Sequence, residues 1–290
     1  MGSVRGKKRV SILNLTLLVS GFVLSLHSKR FSWTSFFAVL SVNEILRSPF
    51  PLLRLSMLKL PFMVLFGRFH DGREEACLEY VKQNAKRNDI SSILATIDDF
   101  AYNQSFLINI GDQKGKILDS AILSTQPKVI VEVGAYVGYS ALRMAKLMSK
   151  DCQLFSIEFN EQNAQVATKM LEFAGFGPNR VNFIFGYIGD GGKTIERLKE
   201  CLNGRKIDLL FLDHDKEFYL NDLQVLMDNG LAQKGTRVIA DNCRIPGAPK
   251  FTRYMDEAEK RKEWAVVRHT SKLEYQNLID DVVYDCTLLK

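Results

Sequence analysis

Val129-Ile-Val-Glu-Val-Gly134-Ala-Tyr136-Val-Gly138-Tyr-Ser140 is a short β-rich run that stops abruptly at a pair of glycines. An amphipathic stretch, Ala141 to Met148, comes directly after it. The same change of period recurs downstream. Gln153-Leu-Phe-Ser-Ile-Glu158, Val181-Asn-Phe-Ile-Phe185, Asp208-Leu-Leu-Phe-Leu-Asp213 and Gly235-Thr-Arg-Val-Ile-Ala-Asp241 are further β-rich runs, and Asn163 to Ala174 is another amphipathic stretch. Strands that alternate with helices predict a parallel sheet with helices on both faces. Upstream, Arg73 to Gln104 places Leu78, Val81, Ile93, Leu94 and Ile97 at helical spacing, broken around Asn88-Asp89, and Asp112 to Leu123 is a second helical stretch.

Working outward to the whole chain, 46% hydrophobic and 25% charged residues in 290 are ordinary for a globular protein. The net charge of +6 is unevenly placed, because Glu44 is the sole acid before Asp71. In that part, the uncharged apolar run Val10 to Leu26 is flanked by Arg5, Lys7, Lys8 and Arg9 on one side and by Lys29 and Arg30 on the other. Apolar stretches Phe31 to Leu46 and Leu52 to Phe66 come next, the latter carrying Arg54 and Lys59. This pattern predicts a membrane anchor and interfacial segment over 1–70, a single pass, with a folded domain over 71–290. A leader cleaved near Ser20 or Ser25, giving a secreted protein, is the alternative. No basic stripe is interleaved with aromatics, which argues against nucleic acid. The five cysteines are scattered without a C-x-x-C, and the four histidines form no i, i+4 pair, so neither a disulfide framework nor zinc is expected.

Ligands of an open parallel sheet bind beyond the C-terminal ends of the strands. Gly134 and Gly138 flank a turn where backbone can approach a ligand closely, a feature shared by dinucleotide and S-adenosylmethionine binders. Glu158 ends the second run, where a carboxylate can accept ribose hydroxyls or simply be solvated. The third run leads to Gly186-Tyr-Ile-Gly-Asp190, where an adenine ring could lie. Two further runs end in Asp213 and Asp241, and with Asn242 they offer a hard, all-oxygen set suited to Mg²⁺. Alternatively, each aspartate could cap the helix after it. Lys216 lies close after Asp213; a lysine near a cation and partly desolvated can serve as a general base.

From about Gly72 onward the chain resembles the animal catechol O-methyltransferases. The motifs that carry the resemblance are Y-V-K-Q-N-A-K (80–86), N-I-G-D-Q-K-G (109–115), E-V-G-A-Y-V-G-Y-S-A-L-R-M-A (132–145), F-A-G (173–175), F-L-D-H-D-K-E-F-Y-L (211–220), A-D-N (240–242), P-G-A-P-K-F (246–251) and L-E-Y (273–275). The resemblance implies a Rossmann-like S-adenosylmethionine-dependent methyltransferase with a mostly parallel seven-stranded sheet. It also implies Mg²⁺-dependent methylation of one hydroxyl of a small-molecule catechol, such as a catecholamine, by a monomeric domain.

Position by position, Asp213, Asp241 and Asn242 match the Mg²⁺ ligands and Lys216 the general base. Glu274 matches the acid that binds the second catechol hydroxyl. Ile110, Glu132, Gly134, Tyr136, Ser140, Glu158 and His214 match cofactor-contacting positions, and Pro246 matches an apolar wall of the catechol slot. Three positions depart from the family. Phe106 and Asp215 stand where tryptophans usually border the substrate ring, and Ile188-Gly189 replaces a Ser-Gln pair near the adenine. Asp215 would put a negative charge beside the slot, which could favour a protonated amine or weaken catalysis. Two competing readings are a membrane-bound interaction protein that keeps the fold without turnover and a nucleotide-dependent oxidoreductase. Lys216 and the Asp241-Asn242 pair have no obvious task in hydride transfer.

Overall fold

The computed structural model describes residues 72–277 and 279–290. The expected anchor and interfacial segment, 1–70, lies outside the described residues. Among the described residues, no helix is long and apolar enough to cross a membrane.

Three helices precede the sheet: α1 (Arg73–Asn84), α2 (Ile90–Asn103) and α3 (Gly111–Thr125). The break expected at Asn88-Asp89 is there. Asn88 turns the chain at φ +60°, and the Asp89 side chain caps α2 by accepting the Ser92 N–H. Each β-rich run then forms a strand: β1 (Val129–Val133), β2 (Gln153–Glu158), β3 (Val181–Phe185), β4 (Leu209–Leu212) and β5 (Arg237–Ala240). The helices between them are α4 (Tyr139–Leu147), α5 (Glu161–Phe173), α6 (Lys193–Leu202) and α7 (Tyr219–Asp228). A tight turn, Cys243–Gly247, leads into α8 (Pro249–Lys260), and β6 (Trp264–Lys272) and β7 (Asp280–Leu288) close the chain.

The seven strands lie in the order β3-β2-β1-β4-β5-β7-β6. The first five are mutually parallel, and β7 runs antiparallel to both of its neighbours. This is the Rossmann-like arrangement of S-adenosylmethionine-dependent methyltransferases. Because side chains alternate along a strand, β1 sends Ile130 into the core beneath α1 to α5 and Val129, Val131 and Val133 into the core beneath α6 to α8. Burial on both faces explains why β1, β2, β4 and β5 read as near-continuous apolar runs, while β3, at the edge, leaves Phe185 exposed.

β4 and β5 are shorter than the runs that announce them. Asp208 instead spends its carboxylate on the Lys128 and Val129 N–H groups, at 2.8 and 2.9 Å. Thr236 belongs to a turn, its N–H donating to Gln233 O at 2.9 Å. β6 and β7 are not among the β-rich runs legible in the sequence. The strand order reverses between β1 and β4, and at such a switch the loops diverge and leave a crevice for ligands.

Candidate active site

The glycine turn after β1 is held from two sides. Glu158, buried at the end of β2, accepts the Ala135 and Tyr136 N–H groups on Oε2 (3.1 and 2.9 Å) and that of Asn160 on Oε1 (2.9 Å). A nucleoside arriving here would share these acceptors. Tyr136 adopts φ +48°, unusual for a residue with a Cβ, and its hydroxyl donates to Glu74 Oε1 at 2.9 Å. Gly134 is required by close approach: a Cβ there would meet Asp213 O at 2.5 Å and His214 N at 2.9 Å. The turn thus lies directly against the loop after β4.

The other expected cofactor positions are mostly internal. Glu132 is fully buried and accepts the hydroxyls of Ser140 and Ser156. Burial pushes its carboxyl up to about 7, against the pull of those two hydroxyls. Ile110 and Ile188 are both core residues. Ile188 is tucked under a turn closed by Asp190, which accepts the Thr194 N–H at 3.1 Å. At the ends of β2 and β3, by contrast, Phe159 and Tyr187 are 67% and 57% exposed, apolar surface that a planar base could cover.

Beyond β4 and β5 the carboxylates converge. Neither Asp213 nor Asp241 caps the next helix: the N-cap of α7 is Phe218 and that of α8 is Ala248, neither with a side-chain cap. Asp213 Oδ1 lies 3.0 Å from Lys216 Nζ. Burial raises the Asp213 carboxyl, while Lys216 and Lys114 pull it down. Burial pushes Asp241 up to about 8, against the attraction of Lys114. Lys216 Nζ also sits 5.1 Å from the centre of the Tyr219 ring. His214 packs on the same ring at 4.9 Å. Its Nε2 is 2.9 Å from Asp222 Oδ2, although neither ring nitrogen has an aligned hydrogen bond.

Two groups that sequence reasoning missed, Lys114 and Asp281, stand at the centre. Lys114, buried on α3, brings Nζ to 2.7 and 2.8 Å from the two Asp241 oxygens and 3.0 Å from Asp281 Oδ2. It also donates to Glu274 Oε1. Burial disfavours the ammonium, but Asp241, Glu274 and Asp281 outweigh it and raise its pKa. Asn242 Nδ2 donates to Glu274 Oε1 at 2.8 Å and to Asp281 Oδ2 at 2.9 Å. Asp281 Oδ1 accepts the Arg244 and Ile245 N–H groups at 3.2 and 3.0 Å, which fixes the turn that carries Pro246. The signal for Lys114 was a lysine on the buried stripe of α3, in line with Gly111, Gly115, Leu118, Ala121 and Ile122.

Around this centre, Phe106 faces Tyr275 edge-on at 6.5 Å, and Tyr275 faces Tyr102 at 5.0 Å. Arg73 Nη1 donates to Phe106 O at 2.7 Å. Pro246 is exposed. Asp215 is exposed too, and its Oδ1 accepts the Glu217 N–H at 3.1 Å. The structure therefore brings Asp213, Asp241, Asn242, Lys216 and Glu274 into one electrostatic neighbourhood and leaves Asp215 on a solvent-facing turn.

The fold has clear counterparts among solved structures. TomG, an O-methyltransferase from Streptomyces achromogenes in complex with SAM, superposes with a TM-score of 0.56 at 17% identity, over 83% of this chain and 100% of that one. An O-methyltransferase from Bacillus cereus in complex with SAH gives 0.52 at 18% identity, over 81% and 98%. These likenesses show that the chain shares their fold.

Sequence relatives go further. The O-methyltransferase family model matches residues 84–284. The Mycobacterium tuberculosis protein named Probable O-methyltransferase Rv1703c is 42% identical over 77% of this chain and 95% of its own length. Mouse catechol O-methyltransferase is 36% identical over 72% of this chain and 76% of its own length. The mouse transmembrane O-methyltransferase homolog is 31% identical over 72% and 79%. The chain belongs to the O-methyltransferase family.

Proposed function

We propose that the protein transfers the methyl group of S-adenosylmethionine to one hydroxyl of a catechol, with Mg²⁺ as cofactor. The observation that carries this reading is the meeting of Asp213, Asp241, Asn242, Lys216 and Glu274 beyond β4 and β5, beside a glycine turn braced by Glu158.

The residues fit both groups. Asp241 is fully buried, and its Oδ1 has the Lys114 ammonium at 2.7 Å but no aligned hydrogen bond. The Asn242 nitrogen points to Glu274 and Asp281, which turns the amide oxygen away from them. With Asp213 this makes an oxygen set of the kind hard divalent cations take. On the cofactor side, Glu158 and the exposed rings of Phe159 and Tyr187 mark adjacent strand ends where a nucleoside could rest.

Bound at Asp213, Asp241 and Asn242, Mg²⁺ would supply the positive charge that makes a catechol hydroxyl more acidic. Beside a bound cation Lys216 would lose its proton to solvent more readily, and as the neutral amine its Nζ would take the proton of the attacking hydroxyl. Glu274 accepts a hydrogen bond from the second hydroxyl, holding the ring in near-attack geometry. The attacking oxygen forms its bond to the methyl carbon, and the carbon–sulfur pair stays on sulfur, leaving a methoxyphenol and S-adenosylhomocysteine. The apolar run Val10 to Leu26, with its basic flanks, supports membrane attachment as part of the same proposal, and carbonate extraction of the full-length chain tests it. For the chemistry, methyl transfer from labelled S-adenosylmethionine to a catechol panel should require Mg²⁺. Full activity in EDTA refutes the metal, and transfer to monophenols but not catechols refutes the substrate.

A further inference from the structure

Lys114 has no part in the proposed chemistry, yet its ammonium sits inside it. Asp241, Glu274 and Asp281 bring carboxylate oxygens within 4.8 Å of one another, close enough to hold a metal ion. That space is filled by Lys114 Nζ, which touches all three carboxylates, with its side chain fully buried. The other groups directed at the trio are also donors: the Asn242 amide nitrogen on Glu274 and Asp281, and the Arg244 and Ile245 N–H groups on Asp281. Asp241 Oδ1, fully buried, has the Lys114 ammonium at 2.7 Å but no aligned hydrogen bond.

Asp241 therefore belongs to two possible cation sites, one shared with Asp213 and Asn242 and one with Glu274 and Asp281. Affinity for a hard divalent ion grows with the number of charged ligands, so three carboxylates would outcompete two and an amide. We propose that Lys114 is a positioning residue whose ammonium occupies the Asp241–Glu274–Asp281 trio, keeps a divalent cation out of it, and confines the ion to the Asp213 side. The inference rests on the Mg²⁺ reading above. Its consequence is that Glu274 stays free of metal and available to a substrate hydroxyl. The ammonium also balances charge that would be costly to bury alone.

Mn²⁺ titration of the full-length chain in detergent, read by calorimetry and electron paramagnetic resonance, tests this without turnover. The wild type should bind a single ion, lost in Asp213→Asn. Lys114→Met should either gain a second ion or bind one that survives Asp213→Asn, with S-adenosylhomocysteine affinity unchanged as evidence of folding. Lys114→Met/Asp281→Asn keeps the trio's net charge and should return to a single Asp213-dependent ion. It also decides the matter where the single variant does not fold, since a second ion in the double variant counts against the inference. A Lys114→Met protein with one ion that still needs Asp213 overturns it. A wild type that binds no Mn²⁺ overturns the metal reading alone, and the gain or absence of an ion in Lys114→Met still decides the role of Lys114.

Discussion

On the β1–β2 side of the switch, the buried acids are met by neutral donors: Glu132 by two serine hydroxyls and Glu158 by backbone N–H groups. On the β4–β5 side they are met by ammonium groups, Asp213 by Lys216 and the Asp241–Glu274–Asp281 trio by Lys114. Neutral donors bring orientation without countercharge, and burial pushes Glu132 up to about 7 against them. They suit a fixed cradle. Burial is stronger on the second side, raising Asp213 and pushing Asp241 up to about 8 while the ammonium groups pull both down, and a countercharge supplied by one cation can instead come from another. The first region is built to hold shape, the second to exchange charge.

The contrast breaks most sharply at Asp241. Asp241→Ala should lower kcat by roughly 10³-fold or more, since a catalytic metal is worth several kcal/mol, while S-adenosylmethionine binding persists. Equal loss of both would merge the two regions into one. Lys216→Ala should reduce kcat by about 10²–10⁴-fold, the usual contribution of a general base. Its cofactor Kd should hardly move, and a near-normal kcat would hand the proton to water or another group.

Glu158→Gln attacks the opposite region. Losing hydrogen bonds to a charged acceptor costs about 1.5–3 kcal/mol, so cofactor affinity should fall roughly 10–100-fold. Mn²⁺ affinity should be unchanged, and a parallel drop would show that the cradle and the charge cluster are coupled.

Asp98 sharpens the contrast away from both. It accepts the Tyr275 hydroxyl at 3.1 Å, and burial pushes it up to about 6. Its folded-state pKa lies above the unfolded value, so the fold favours the protonated form. The stability it contributes is present below the unfolded pKa and is lost as pH rises through about 6. Asp98→Asn should therefore gain on the wild type across that window, by about 3 kcal/mol at most, read as the difference in Tm against pH. A constant difference between the two proteins on both sides of that window would contradict it.

The smallest effect is expected at Asp215. Its exposed carboxylate is engaged by the Glu217 N–H, and exposed charges contribute less than about 1 kcal/mol. Asp215→Trp should raise kcat/KM for neutral catechols by less than about tenfold, and by less still for amine-bearing ones, through added ring contact. Equal gains would mean that Asp215 does not sense substrate charge.

Much of this was legible in residue order. β1, β2, β4 and β5 declared themselves because burial on both faces favours near-continuous apolar runs, whereas β3 at the sheet edge has a half-buried Asn182 and an exposed Phe185. Asp213, Asp241 and Asn242 stand just beyond the ends of β4 and β5. β6 and β7 were not legible. In β6, Trp264 is buried while much of Ala265 to Lys272 is exposed or half-buried, so periodicity is weak and pairing with β7 makes the strand. Asp213, Asp241, Asn242 and Lys216 could be picked out as candidates because they stand at or just after strand ends. That Lys114, 127 positions from Asp241, fills the space between three carboxylates depends on α3 packing beside the sheet. A buried lysine on an apolar helical stripe signals that it needs partners, since burying a lone ammonium is too costly. Which acids supply them is a matter of three-dimensional packing, because electrostatic pairing depends on distance in space and not along the chain.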